Sequence, residues 1–111
     1  MHVVVETRPF MRQAERIGLD NESRGRLASD LARSPKAGTP LGHGLYKIRV
    51  ARKGGGKSGG YRVIYYYKEA DLPLFLLFCF AKNVAEALTT AQEKELQVLA
   101  KRLPSTYRKS R

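Results

Sequence analysis

Alternating apolar and polar positions predict the strands at the centre of this chain. In residues 45–50 the aromatic and aliphatic side chains fall on one face, while Lys47 and Arg49 fall on the other, the pattern of a half-buried strand. Residues 61–67 are dense in aromatic and β-branched types, and residues 74–80 are apolar on both faces, as in a covered central strand. We therefore expect three strands, with the last two joined by a hairpin.

Apolar residues at helical spacing predict three helices. Residues 7–18 carry an apolar stripe between a Thr-x-Pro start and a glycine stop, and residues 20–34 carry a second stripe after an Asp-Asn cap. Residues 90–103 begin with capping-box spacing and end before Pro104. The first two helices are close enough in sequence to form a hairpin.

The order of these elements predicts the fold class. Residues 3–5 are β-branched and suit an opening strand, whereas residues 34–44 and 54–60 are rich in glycine and proline and are interpreted as loops. We expect an α+β fold of two layers, in which an N-terminal strand and a helical hairpin pack on a small, mainly antiparallel sheet with a C-terminal helix. The length suits one domain over residues 1–103, followed by a basic, flexible tail at 104–111.

The positive charge of the chain is large and concentrated. There are 21 Lys and Arg against 10 Asp and Glu, a net charge of +11, and residues 31–68 contain nine cations and no acid. Segregated positive charge is typical of a protein that binds nucleic acid, since each neutralised phosphate releases counterions and adds affinity. The alternatives are a solvated basic face and an interface for an acidic protein.

Histidine and cysteine offer little further chemistry. His2 and His43 are far apart in the sequence, so neither an imidazole pair nor a metal site is expected. Cys79 is the only cysteine and lies in the most apolar stretch, which predicts an inert core thiol and a reducing compartment. We also expect no signal peptide, membrane span or cofactor, and hence a cytoplasmic protein.

The glycine-rich segment 54–60 matches nucleotide-binding loops only by its glycine count. Such loops open a helix whose N-terminus faces phosphate, but a strand is predicted to follow here. Basic residues around the glycines suit close contact with a phosphodiester chain, and tyrosines of the next strand suit stacking on RNA bases. Packing in the sheet is the alternative for at least two of the strand tyrosines. The predicted RNA-binding residues are Arg52, Lys53, Lys57, Tyr61 and Tyr65.

Three sequence segments resemble the RelE/ParE toxin superfamily. They are GLYKIRV at 44–50, GKSGGYRVIYY at 56–66 and FAKN at 80–83, and the similarity extends over about residues 40–103. The long glycine-lysine loop is most similar to the HigB-like branch. The resemblance implies the toxin of a bacterial toxin–antitoxin module, a ribosome-dependent endoribonuclease that cuts mRNA. It also implies a cognate antitoxin, of the HigA-like type with a DNA-binding helix-turn-helix.

The resemblance places the family's basic catalytic set on Lys47, Arg49, Arg62 and Lys82, and adds Asn83 to the RNA-binding residues. Cleavage of RNA without a metal needs a base for the 2′-hydroxyl, cations for the phosphorane and an acid for the 5′-oxygen. Arginine stays charged, so Lys47 is the better proton acceptor. We therefore expect Arg62 to clamp the phosphorane, Lys82 to serve as acid or second clamp, and Arg49 to orient the phosphate. The alternative for each residue is a surface cation that only positions RNA or ribosomal RNA.

Two other functions fit parts of this pattern. A ParE-like inhibitor of DNA gyrase would share the fold, but the members of that branch lack the central basic set. A non-catalytic module that binds RNA or the ribosome would use the same cations for affinity alone. Substitution of the basic residues separates these hypotheses, because a nuclease loses turnover by far more than binding.

Overall fold

The computed structural model describes residues 2–51, 60–81 and 89–109, with side chains as far as residue 105. The elements in these residues are β1 Val4–Glu6, α1 Arg8–Ile17, α2 Asn21–Arg33, β2 Thr39–Gly42, β3 Leu45–Val50, β4 Tyr61–Tyr66, β5 Leu74–Ala81 and α3 Thr90–Lys109. The five strands described form one sheet in the order β1-β5-β4-β3-β2, in which β1 and β5 are parallel and the other neighbours are antiparallel. The predicted α+β class is confirmed.

The ends of the helical hairpin follow the predicted capping residues. The side chain of Thr7 accepts a hydrogen bond from the backbone N–H of Phe10 at 3.4 Å, and Asp20 accepts one from Ser23 at 2.8 Å. Each cap satisfies a donor that has no partner within its helix. Gly18 ends α1 in the left-handed conformation with φ 81°, which glycine adopts at little cost.

The sheet is covered on both faces, and successive residues of its strands face different helices. The first cluster joins α1 and α2 to one face, and we call this the hairpin face. Its buried members include Phe10, Ala14, Leu27, Leu31, Val63, Tyr65, Leu74, Leu76 and Cys79. The second cluster joins α3 to the other face, the α3 face. Its buried members are Leu45, Ile64, Tyr66, Phe75, Leu77, Phe80 and Ala100, with Leu96, Leu99 and Leu103 packed against them.

Strand β2 lies in the segment 34–44 that was predicted to be a loop. It is an edge strand with three residue pairs to β3 and a register shift between Pro40 and Gly42. Its sequence hides the strand, because proline donates no backbone hydrogen bond and the glycines are typical of turns. The two strands are joined by His43 and Gly44, which both have positive φ, as a tight hairpin of type I′ requires.

The C-terminal helix differs from the prediction at its end. α3 continues through Pro104 to Lys109, so the predicted end of the helix at Pro104 is wrong. Proline removes one backbone N–H from the helix, but Leu99 and Leu103 in the turns before it pack on the sheet, and the helix continues beyond it. The domain boundary at residue 103 and the flexibility of the tail stay predictions.

Two glycines provide a matched test of backbone strain. Gly44 has φ +83°, and a Cβ built there would lie 2.6 Å from Cε2 of Tyr66, whereas Gly25 in α2 has open space around it. We expect Gly44→Ala to lower the free energy of unfolding by about 2–4 kcal/mol through left-handed strain and overpacking. Gly25→Ala should raise it by about 0.5–1 kcal/mol. Urea denaturation measures both values, and equal effects would contradict the assignment.

Burial should make the thiol of Cys79 unreactive. The side chain is fully buried and its Sγ lies 3.8 Å from the carbonyl oxygen of Phe10. Burial raises the pKa of the thiol to about 12, although the charge of Arg24 lowers it in part. The thiol is therefore protonated at neutral pH. We expect a disulfide reagent to modify Cys79 of the folded protein in buffer at least about 1,000-fold more slowly than Cys79 of the protein unfolded in guanidinium. The reason is that reaction in buffer needs the fold to open. Equal rates in the two solvents would contradict this.

Candidate active site

Strand alternation places three of the predicted catalytic residues on one face of the sheet. In β3, Tyr46 and Ile48 pack against the hairpin-face cluster, whereas Leu45 is buried in the cluster beneath α3. Lys47 and Arg49 share the parity of Leu45, so their side chains leave β3 on the α3 face. In β4, Ile64 and Tyr66 are buried beneath α3. Arg62 has their parity and emerges on the same face.

The pairing of β3 with β4 brings these cations together. Arg49 is the direct cross-strand partner of Arg62, and Lys47 is the partner of Ile64, one pleat further along. Directly opposed residues have Cβ atoms about 5 Å apart, and same-face neighbours along a strand are about 6–7 Å apart. Two positive charges facing each other in this way repel, so the arrangement does not stabilise the sheet by itself. An anion between them would relieve the repulsion.

The three side chains differ in how far they are buried. Lys47 and Arg62 are half-buried, and Arg49 is exposed. One guanidinium nitrogen of Arg62 donates to the carbonyl oxygen of Tyr61 at 3.4 Å. Lys47 and Arg62 are each partly shielded from water, which would strengthen their interaction with an anion.

An aromatic wall flanks the cations on the β5 side. Phe80 is the cross-strand partner of Arg62 and is 5% exposed. Its ring centroid lies 6.4 Å from that of half-buried Phe78, which is the partner of Ile64. A register shift in the β4–β5 ladder lies between Ile64 and Tyr65, as a β-bulge produces. Arg62 therefore lies beside an aromatic side chain of β5, whereas Arg49 is exposed to solvent.

Tyr61 and Tyr65 do not join the cationic group. Both belong to the hairpin-face cluster, where they are 7% and 0% exposed. The hydroxyl of Tyr61 donates to the carbonyl oxygen of Gly18 at 3.4 Å, and that of Tyr65 donates to Pro35 at 2.8 Å. Their rings have no open face for a nucleobase, so the predicted RNA contact of these two tyrosines is wrong. They are packing residues, the alternative that the sequence left open.

The remaining predicted site residues lie outside the described part of the chain. They are Arg52, Lys53, Lys57, Lys82 and Asn83. The described residues that flank them lie at one end of the sheet, where Tyr61 pairs with Val50 on one side and with Ala81 on the other. This end of the sheet is one residue beyond the Arg49–Arg62 pair.

The described residues hold no cluster of side chains typical of a metal site. Within residues 2–51, 60–81 and 89–105 there is no group of three His, Cys, Asp or Glu side chains that could hold a metal ion. Among the helices described, none has the length and apolar composition needed to cross a membrane.

Comparison with known proteins shows the family to which the chain belongs. The family model for the RelE toxin of the RelE/RelB toxin–antitoxin system matches residues 2–110, almost the whole chain. The chain belongs to the RelE toxin family. The Escherichia coli toxin RelE, solved in its free state as a double arginine-to-alanine mutant, has a similar fold with a TM-score of 0.53. That match has 20% sequence identity and covers 77% of this chain and 87% of the other.

Two features of this RelE-family toxin escaped the sequence analysis. Alternation places Lys47 and Arg49 on one face, but it gives no register, so the direct opposition of Arg49 and Arg62 was not predicted. The second feature is the face itself, since α3 packs on the same side of the sheet as the cations. Lys47 lies two residues after Leu45 in the same strand, so the face on which Leu45 is buried indicates the face that Lys47 shares with α3.

Removal of one charge should reveal the repulsion within the site. We expect Arg62→Gln to raise the free energy of unfolding by about 0.2–1 kcal/mol at low ionic strength, because one of two opposed like charges is lost. The gain should disappear in about 1 M salt, where screening acts over about 3 Å. Urea denaturation at both salt concentrations tests this. Arg16→Gln in the last turn of α1 is the control and should slightly destabilise the protein at low salt.

Proposed function

We propose that this toxin is a ribosome-dependent, metal-independent endoribonuclease that cuts mRNA and thereby inhibits translation. The observation that carries the proposal is the opposed pair Arg49 and Arg62 with Lys47 on the same face of a RelE-family sheet. Cations grouped on one face of a sheet are typical of a site that binds an anion, and the phosphodiester of RNA is an anion that such a site fits. The reaction takes place in the cytoplasm, where ribosomes translate.

The proposed chemistry uses the RNA's own 2′-hydroxyl as nucleophile. Lys47 takes the 2′-hydroxyl proton as the 2′-oxygen attacks the adjacent phosphorus. Arg62 stabilises the charge that develops on the phosphorane, and Arg49 holds a phosphate oxygen in position. The bond from phosphorus to the 5′-oxygen then breaks, and Lys82 protonates the leaving oxygen. The products are a 2′,3′-cyclic phosphate and a 5′-hydroxyl.

The basic patch also accounts for a dependence on the ribosome. Three cations on a small sheet give modest affinity for a free RNA strand, and phosphate contacts alone carry no sequence information. The ribosome would present mRNA in a fixed conformation, so binding to the toxin would not have to order a flexible RNA strand and would lose less entropy. Basic residues at 52, 53 and 57 and Asn83 are proposed as further contacts to mRNA or ribosomal RNA.

The regulation proposed for the toxin is a cognate antitoxin. By the glycine-lysine loop we assign the toxin to the HigB-like branch, and its antitoxin to the HigA-like type with a helix-turn-helix. An antitoxin that covers or misaligns the cationic face would suppress both phosphate binding and cleavage.

Cleavage of a defined mRNA with and without programmed ribosomes tests the proposal. Arg62→Ala and Lys47→Ala should each lower the cleavage rate about 100- to 1,000-fold, as expected for loss of one transition-state contact or of the base. Ribosome binding should change far less. Primer extension maps the cuts, which should be in phase with codons.

The matched control is Lys68→Ala, an exposed lysine just beyond β4, which should cleave at the rate of the unmodified toxin. Equal losses of binding and cleavage in Arg62→Ala would instead support a non-catalytic module. An antitoxin-free toxin that inhibits DNA gyrase and leaves mRNA intact on ribosomes would be a ParE-like protein.

A further inference from the structure

Tyr65 connects three segments around Lys47 from the opposite face of the sheet. Its hydroxyl donates to the carbonyl oxygen of Pro35 at 2.8 Å and accepts from the backbone N–H of Gly38 at 3.0 Å. Its ring is stacked on that of Tyr46, with centroids 5.1 Å apart and an interplanar angle of 8°. Burial raises the pKa of the Tyr65 phenol, so the proton needed for the first of these hydrogen bonds is retained.

These contacts act on the immediate surroundings of Lys47. Tyr46 precedes Lys47 in β3, and Thr39, which follows Gly38, is the cross-strand partner of Lys47 in β2. The approach is close, because a Cβ built on Gly38 would lie 2.8 Å from the carbonyl oxygen of Lys47 and 3.0 Å from the hydroxyl of Tyr65. A single buried side chain therefore holds the residue before Lys47 and the segment that leads into its partner strand.

Strand β2 needs such an anchor, because its own ladder is weak. It has only three residue pairs to β3, and Pro40 in the middle pair has no N–H to donate. Its register shifts after Pro40, and it lies at the edge of the sheet. Edge strands with few hydrogen bonds open most easily. Without the hydroxyl of Tyr65, strand β2, which borders Lys47, would be held to the sheet mainly by this ladder.

We propose that Tyr65 is a positioning residue, which holds the residue before Lys47 and the segment that leads into its partner strand in place for the cleavage reaction without touching RNA. The inference rests on the proposed nuclease function and deepens it. A lysine side chain has four rotatable bonds, so the place of its amine depends first on where its backbone is held. Displacement of a catalytic group by about 1 Å costs up to about 100-fold in rate.

Tyr65→Phe tests this with Tyr61→Phe as its control. Both variants keep the ring and lose one buried hydroxyl from the hairpin face of β4. The hydroxyl of Tyr61 bonds to Gly18, far from β2. We expect Tyr65→Phe to lower kcat about 10- to 100-fold with KM unchanged, and Tyr61→Phe to leave both unchanged. Equal kcat in the two variants, or a change confined to KM, would overturn the positioning role.

A double variant distinguishes action through Lys47 from a general loss of order. In the Lys47→Ala background, Tyr65→Phe should cost less than about 2-fold further, because the group that it positions is gone. Single-turnover assays with excess toxin keep such slow reactions measurable. A full additional loss in the double variant would show that Tyr65 acts independently of Lys47, and the proposal would fail.

Hydrogen exchange separates failure of this inference from failure of the nuclease function. We expect Tyr65→Phe to speed exchange of the Gly38 amide by at least about 10-fold and to shift the amide signals of Tyr46 and Lys47. Unchanged exchange and shifts would overturn the inference, whatever the toxin cleaves. Absence of cleavage by the unmodified toxin on ribosomes would overturn the proposed function, and with it the catalytic purpose of the anchor.

Discussion

The register between β3 and β4 is the constraint on which the candidate site depends. It sets Arg49 opposite Arg62 and keeps Lys47 on the same face. Side chains alternate with a period of two, so a slip of one residue would turn the cations of β3 into the core and Tyr46 and Ile48 towards α3. Charges without partners in a core cost several kcal/mol, and the apolar residues of β3 therefore fix the register as strongly as its basic ones.

Burial of apolar side chains on the other face of the same strands offsets the repulsion between Arg49 and Arg62. Tyr61, Val63 and Tyr65 of β4 are buried against α1 and α2. The residues between them face the other way: Arg62 comes first, and Ile64 and Tyr66 are buried in the core beneath α3. Opposed like charges cost about 0.2–1 kcal/mol, whereas full burial of one large aromatic or aliphatic side chain contributes about 1.5–3 kcal/mol. The central strands can therefore carry a repulsive pair at one end and remain folded.

Local patterns predicted most of the fold, and the failures have identifiable causes. Caps at Thr7 and Asp20 fixed the helical hairpin, because capping is decided within a few residues. β2 and the continuation of α3 through Pro104 depend on pairing and packing with distant residues, which override weak local preferences. In the site, parity was predictable for the cations, but register was not, since a loop of this length allows several offsets. The tyrosines were ambiguous because stacking on a base and packing in a core select the same residue type.

The position of a charged group at the end of a long side chain depends on the order of the side chain and on the order of the backbone that carries it. Lysine and arginine reach a phosphate with long chains that sample many rotamers, and ordering each chain costs up to about 2 kcal/mol. A rigid backbone removes one source of that disorder before the substrate arrives. In this RelE-family toxin the rigidity is unevenly supplied, since β4 has a neighbouring strand on each side and β3 is bordered by a short edge strand. The buried hydroxyl of Tyr65 and its stacking on Tyr46 lie where this support is weakest. A phenylalanine would fill the same core volume, and only the tyrosine satisfies both Pro35 and Gly38, which couples the order of the edge to the order of the core.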